Sequence, residues 1–235
     1  MIHSIADIDL RFIPGEWPLP AELRRKVDDH WQAQLALNPH MWNGRVLGSI
    51  APGYPGGVAL ENGRLTGTAV EGDFASFLAW RDWGFPEIGI RNLFGSALVL
   101  SGDGALIYGV MDRTTANAGK IYPPGGSLEP SDVRDGNVID VIASIERELD
   151  EETGLKVADG RFEAMLVAFD GPRISIGRVY RFDAPADELV EVIAGNLDGQ
   201  AHRELERVIA IRTAADAANP AIMPYARSIA EYLLG

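Results

Sequence analysis

The chain contains no cysteine, which excludes a disulfide framework and any thiolate metal site. It has no apolar run approaching the roughly 20 residues that a membrane-spanning helix needs. Its first residues, Met1-Ile2-His3-Ser4-Ile5-Ala6-Asp7, turn acidic at once and carry no basic-then-apolar signal pattern. These absences point to a cytoplasmic protein with no membrane partner. Basic residues are scarce beside acidic ones, 21 Lys and Arg against 34 Asp and Glu, for a formal net charge of −13. Such a balance repels a nucleic-acid backbone, so no nucleic acid is expected as partner. A small anionic substrate stays allowed wherever divalent cations bring it to carboxylates. The four histidines, His3, His30, His40 and His202, show no zinc-site spacing, and His202 reads as a loop residue. Neither a G-x-x-x-x-G-K-[ST] loop nor a G-x-S-x-G elbow is present. No repeat or low-complexity tract interrupts the chain.

What is present is an ordinary globular balance, 46% hydrophobic and 23% charged over 235 residues. That length suits one large domain, or one domain plus a substantial extension. All five tryptophans (Trp17, Trp31, Trp42, Trp80 and Trp83) fall in the first 90 or so residues. The expected organisation is an aromatic-rich N-terminal α+β extension over 1–91 and a second domain over 92–235. Leu23, Val27, Trp31 and Leu35 recur every fourth residue, which predicts a helix over Ala21 to Leu37. Pro39 stands just past its end. Val58-Ala59-Leu60 and Arg64 to Val70 flank Asn62-Gly63, a hairpin signal. Phe74 to Trp83 reads as a further short helix. Ser96 to Leu100 and Ala105 to Val110 form a predicted hairpin across Ser101-Gly102-Asp103-Gly104. A helix is expected from about Asn137 to Glu152. Strands follow over Ala164 to Phe169, Arg173 to Phe182 and Arg207 to Ile211, and a C-terminal helix over Pro224 to Leu234. Strands alternating with helices place the chain in the α/β (α+β) class.

The segment Arg147-Glu148-Leu149-Asp150-Glu151-Glu152-Thr153-Gly154-Leu155 carries the chemistry. Val138, Val141, Ile142, Ile145 and Leu149 supply a buried stripe, and Gly154 suits a left-handed helix end. A solvated acidic face would be the plain structural account of the remainder. Glu148, Glu151 and Glu152, however, sit at i, i+3 and i+4, so their carboxylates share one side of the helix. Like charges so placed repel, and the last turn of a helix disfavours negative charge further. Hard divalent cations supply a reason for them, because oxygen is the ligand that Mg²⁺ and Mn²⁺ prefer. Upstream, Gly125-Gly126 allows a backbone to approach a ligand closely.

Pro124-Gly125-Gly126-Ser127-Leu128-Glu129, followed by Arg147 to Leu155, resembles the Nudix box, G-x5-E-x7-R-E-U-x-E-E-x-G-U with U bulky and apolar. The second half matches at every specified position. The first half departs from it: Gly126 and Arg147 are 21 positions apart, seven more than the family's 14. The box glutamate therefore falls on Asp132 counted forward from Gly126. Counted back from Arg147 it falls on Ile139, beside Asp140. A loop insertion around Ser131 to Val138 accounts for the difference, since Asp135-Gly136-Asn137 is turn-like.

The resemblance covers about Asn92 to Ile211 and implies a Nudix-type α/β/α sandwich with a mixed sheet. It implies Mg²⁺ or Mn²⁺ as cofactor, held by Glu148, Glu151, Glu152 and the carbonyl of Gly126. Arg147 would hold the carboxylates in place, with Glu151 as a partner, and the general base would be Glu148 or Glu151. A further carboxylate from a later loop often joins such sites; Glu204 and Glu206 are the candidates. Lys120 and Arg113 are candidate phosphate contacts for substrate binding, against a surface role. The partner so implied is a small-molecule nucleotide, cleaved at a phosphoanhydride. Trp31, Asn38-Pro39 and Trp42-Asn43-Gly44-Arg45 resemble the branch that cleaves UDP-sugars, although those aromatics would equally serve as the extension's own core. ADP-ribose or another nucleoside diphosphate derivative is the alternative substrate. A non-catalytic nucleotide-sensing Nudix module is the alternative function. The resemblance allows a homodimer.

Overall fold

The computed structural model describes residues 1–235. Its strands in chain order are β1 (Ile2–Ile5), β2 (Asp7–Glu16), β3 (Arg45–Ile50), β4 (Ala59–Glu61), β5 (Arg64–Asp73), β6 (Ile90–Leu100) and β7 (Leu106–Met111). They continue with β8 (Ile121–Tyr122), β9 (Val133–Arg134), β10 (Val138–Ile139), β11 (Gly160–Asp170), β12 (Arg173–Phe182) and β13 (Leu205–Ile211). The helices are α1 (Ala21–Leu37), α2 (Phe74–Asp82), α3 (Val141–Thr153), α4 (Ala186–Asp198) and α5 (Pro224–Leu234). The class is α/β. Pairing is mixed: β2 runs parallel to β5, whereas β3, β4 and β10 pair antiparallel. No helix is long and apolar enough to cross a membrane.

The elements divide into two compact units. Met1–Ile5, Phe94–Gly126 and Val141–Gly235 form one; Ala6–Leu93 with Ser127–Asp140 form the other. In the second of these, the four-residue apolar spacing of α1 turns Val27 inward, with Leu23 and Trp31 packed on a cluster that includes Trp17, Val46, Val70 and Trp80. Trp80 donates its indole N–H to the Pro86 carbonyl at 2.8 Å. Four of the five tryptophans thus build this unit's core, the exception being Trp42, which is 80% exposed. The hairpin β4–β5 turns at Asn62 (φ 49°) and Gly63 (φ 77°), both left-handed as a tight hairpin requires. Asp73 caps α2 by accepting the Ser76 N–H at 2.6 Å.

The stretch expected to begin the carboxylate helix belongs partly to this unit. Val138 and Ile139 form β10, paired with Arg134 and Val133 of β9, and Val138 also pairs with Arg11 of β2. Gly136 (φ 74°) and Asn137 (φ 60°) make the turn before it. The helix consequently starts at Val141 rather than near Asn137. Left-handed residues followed by ladder pairing cannot sit in a helix, so Val138 does not contribute to the helical stripe.

In the first unit, β1 pairs antiparallel with β11, and β11 with β12 through the turn after Asp170. The C-terminal part of β6 neighbours β12, and it pairs with β7 through Val99–Ile107 and Leu100–Leu106. β7 in turn is flanked by β13 and β8. Helix α3 packs on β12 and α4, α4 on β7 and β13, and α5 on β1 and β11. Leu98, Ile107, Tyr180 and Ile193 are fully buried between these layers. Tyr108 reaches from β7 to the Ala226 carbonyl of α5 at 2.7 Å.

Candidate active site at the end of the carboxylate helix

Val141, Ile145 and Leu149 are buried at four-residue intervals and fix the roll of α3 in the first unit. The helix ends where Gly154 takes φ 72° and donates its N–H to the Asp150 carbonyl at 2.7 Å. Fixing one face in the core decides where the three glutamates point, yet each meets a different environment. Glu152 is buried, and its Oε2 accepts the Gly125 N–H at 2.8 Å. The Glu148 side chain is 17% exposed and accepts from Arg147 Nη2 at 3.2 Å. Glu151 is 64% exposed, with Arg147 Nε at 3.8 Å. Arg147 therefore spans two of the three carboxylates.

The glycine turn is stitched to β6: Ala97 donates to the Pro124 carbonyl at 2.7 Å and Gly95 to the Gly126 carbonyl at 3.3 Å. A Cβ on Gly125 would strike the Gly95 carbonyl. One on Gly126 would lie 2.7 Å from Glu148 Cδ. A side chain at this position would displace the Glu148 carboxylate from where it lies against the backbone. The Gly126 carbonyl keeps a second lone pair beyond its bond to Gly95.

Glu148, Glu151, Glu152, Gln200, His202 and Glu204 line one pocket of about 270 Å³. Burial pushes the Glu148 carboxyl up to about 7 against the counter-pull of Arg147, and the charges of Glu204 and Glu151 add to the rise. Glu152 is driven well above the usual glutamate range, first by burial and then by Glu148 and Glu204. The carboxylates share the pocket without converging on one point: in this arrangement no three Asp, Glu or His side chains form a ready cation cage. Each is turned to its own partner, Glu152 to the glycine loop and the other two to Arg147.

Of the later acidic candidates, Glu204 lines the pocket and Glu206 does not. Lys120 and Arg113 are exposed on the segment after β7 and are absent from the lining. Asp132 is fully buried in the other unit, where Oδ2 accepts the Glu129 N–H at 2.9 Å and its carbonyl accepts the Asp140 N–H at 2.9 Å. Asp140 faces Arg134 at 3.4 Å. Both therefore serve the fold of the segment from Glu129 to Asp140. Gln200 and His202 also line the pocket; His202 lies in a loop, as expected, and the sequence predicts neither as a site residue. No local pattern marks either, because the turn after α4 brings them to the end of α3 only in three dimensions.

No family model matches the chain, and no curated protein matches it. Solved structures do show likeness. One is the MutT protein from Methanosarcina mazei Go1, at 18% identity, with 61% of this chain and 92% of that one covered and a TM-score of 0.41. Another is the Nudix hydrolase RenU from M. smegmatis, at 13% identity, with coverage of 61% and 83% and a TM-score of 0.43. A third is an Ap4A hydrolase from C. elegans, at 14% identity, with coverage of 60% and 92% and a TM-score of 0.40.

Proposed function

We propose that this protein is a Nudix-type pyrophosphohydrolase, cleaving the phosphoanhydride bond of a nucleoside diphosphate linked to another group. The observation that carries the reading is the pocket itself: four glutamates line it, and a glycine loop lies bare against one of them. Buried, mutually repelling carboxylates cost stability, and such groups gathered in a cleft point to a functional site. The glutamates and the Gly126 carbonyl offer oxygen, which suits a hard cation such as Mg²⁺ or Mn²⁺. Glu148, Glu151, Glu152 and the Gly126 carbonyl would hold it, with Glu204 joining from the loop before β13. When bound, a divalent cation neutralises the diphosphate and polarises the phosphoryl group under attack.

The chain's own groups do the rest. Arg147 orients Glu148 and Glu151 from one guanidinium. The Gly125 N–H fixes Glu152. Glu148 or Glu151 takes the proton of the attacking water, and separate glutamine replacements distinguish them. UDP-sugars are the leading substrate class, on the strength of the Trp42-Asn43-Gly44-Arg45 resemblance, with ADP-ribose as the alternative.

The test is phosphate release, coupled to phosphatase, from a panel of nucleoside diphosphate sugars and ADP-ribose, with and without Mg²⁺ and beside Glu152→Gln. Metal-dependent turnover that disappears in the variant is expected. Turnover of ADP-ribose alone removes the UDP-sugar assignment and keeps the enzyme. Nucleotide binding with no turnover of any substrate overturns the reading in favour of a sensor.

A further inference from the structure

The last turn of a helix leaves carbonyls with no partner inside the helix. At the end of α3 two of these are taken by side chains from α4 and the turn behind it. Asn196 Nδ2 donates to the Thr153 carbonyl at 2.9 Å, and Gln200 Nε2 donates to the Glu151 carbonyl at 2.8 Å. Gln200 also lines the pocket, whereas Asn196 does not. Its backbone N–H continues the end of α4 by bonding to the Leu197 carbonyl at 3.1 Å. From there Ala201, His202, Arg203 and Glu204 run exposed until Leu205, buried, starts β13. Arg203 meets the exposed Asp198 at 3.8 Å, a weak tie in solvent. The far end of the loop is fixed where Asp112 donates its N–H to the Glu204 carbonyl at 2.8 Å.

We infer that Gln200 is a positioning residue, whose side-chain amide latches the Gly199–Glu204 loop onto the last turn of the carboxylate helix and so keeps Glu204 at the pocket. The bond is made to the backbone of Glu151, one of the pocket's own carboxylate residues, so helix and loop are registered against each other at that point. Backbone bonds hold the loop at its two ends, and the Gln200 side chain adds a tie to the end of α3 that narrows the arrangements left to the residues between them. Supporting bonds of this kind govern how well oxygen ligands are presented to a cation. The inference rests on the functional reading above, and its test separates the two.

Three variants are compared: Gln200→Met, which keeps length and loses the donor; Gln200→Lys, which restores a donor suited to a helix C-terminus; and Gln200→Glu, which replaces the donor by a like charge. Amide hydrogen exchange over 199–204 reads the latch, and Mn²⁺ binding followed by electron paramagnetic resonance reads its consequence. Gln200→Met and Gln200→Glu are expected to speed exchange in the loop and to weaken Mn²⁺ binding by about tenfold, with substantial recovery in Gln200→Lys. Unchanged exchange in Gln200→Met overturns the latch. Faster exchange with unchanged Mn²⁺ affinity overturns its role in presenting Glu204. If the unmodified protein binds no Mn²⁺, the functional reading fails and Glu204 has no ligand to be presented to, while the exchange data still decide the latch.

Discussion

Asn196 occupies the space that a side chain on Gly154 would fill: its amide crowds the place of a Cβ there and donates to the Thr153 carbonyl at 2.9 Å. Gly154 is thus required twice over, by its φ of 72° and by this neighbour. Gly154→Ala is expected to destabilise the protein by about 2 kcal/mol, combining left-handed strain with the loss of the Asn196 bond. Urea unfolding measures it. A change within about 0.5 kcal/mol, the range of ordinary surface substitutions, would mean that the helix end relaxes and Asn196 is no constraint.

Glu152→Gln keeps the shape and still accepts the Gly125 N–H. It removes a carboxyl whose charged form burial, Glu148 and Glu204 all disfavour. The metal-free variant should be as stable as the parent or more so, while turnover drops by about two orders of magnitude or more. A stability loss alongside the activity loss would show that Glu152 acts in the fold.

The folded protein holds a proton on Glu148 up to about pH 7, whereas the unfolded chain releases it near 4.5. Between these values the native state binds more protons than the unfolded state, so stability falls as pH rises through the window. A tenfold difference in proton affinity corresponds to about 1.4 kcal/mol. Water still reaches part of Glu148 and weakens the effect, so the Glu148 share of the decline in the metal-free protein should be of order 2 kcal/mol, with Glu152 adding to it. Thermal melts from about pH 4.5 to 7.5 span the window and measure it. Glu148→Gln should flatten the slope, and Mg²⁺ should raise the melting temperature most at the upper end. A parent profile no steeper than that of Glu148→Gln would contradict the burial assigned to this carboxyl.

Trp80 and Trp42 are predicted to behave oppositely. Trp80 is fully buried in the aromatic cluster, and truncation to Ala should cost about 3–5 kcal/mol. Trp42 is largely exposed, and Trp42→Ala should shift stability by less than about 0.5 kcal/mol. Equal losses in denaturant melts would show that Trp42 is covered in solution.

Asp132→Ala tests the segment from Glu129 to Asp140. The buried carboxylate holds the Glu129 N–H, so about 1–3 kcal/mol should be lost with the donor left unpaired, and Mn²⁺ affinity should stay unchanged. Weaker Mn²⁺ binding in a folded variant would place Asp132 among the ligands.

What the sequence alone determined is local and periodic. The four-residue spacing of Leu23, Val27 and Trp31 marks α1, Asn62-Gly63 marks the turn of β4–β5, and the box residues from Arg147 to Leu155 mark the end of α3. The physics there lies within a few residues, in backbone conformation and in side chains one helical turn apart. Helix α4 carries a similar signal in Leu189, Ile193 and Leu197 at four-residue spacing, opened by Pro185 and with Gly195 the weakest helix former inside it. Tertiary structure decided the remainder. Val138 and Ile139 look helical until β9 and β2 offer them ladder partners, and Ile2–Ile5 becomes a strand only because β11 presents an edge. Asp132 and Glu204 are both carboxylates at plausible separations from the box, yet one is buried in a turn and the other lines the pocket. Gln200 and His202 carry no sequence signal for the same reason: their roles depend on a loop closing over a helix end some fifty residues earlier, and no local pattern encodes a contact between segments so far apart.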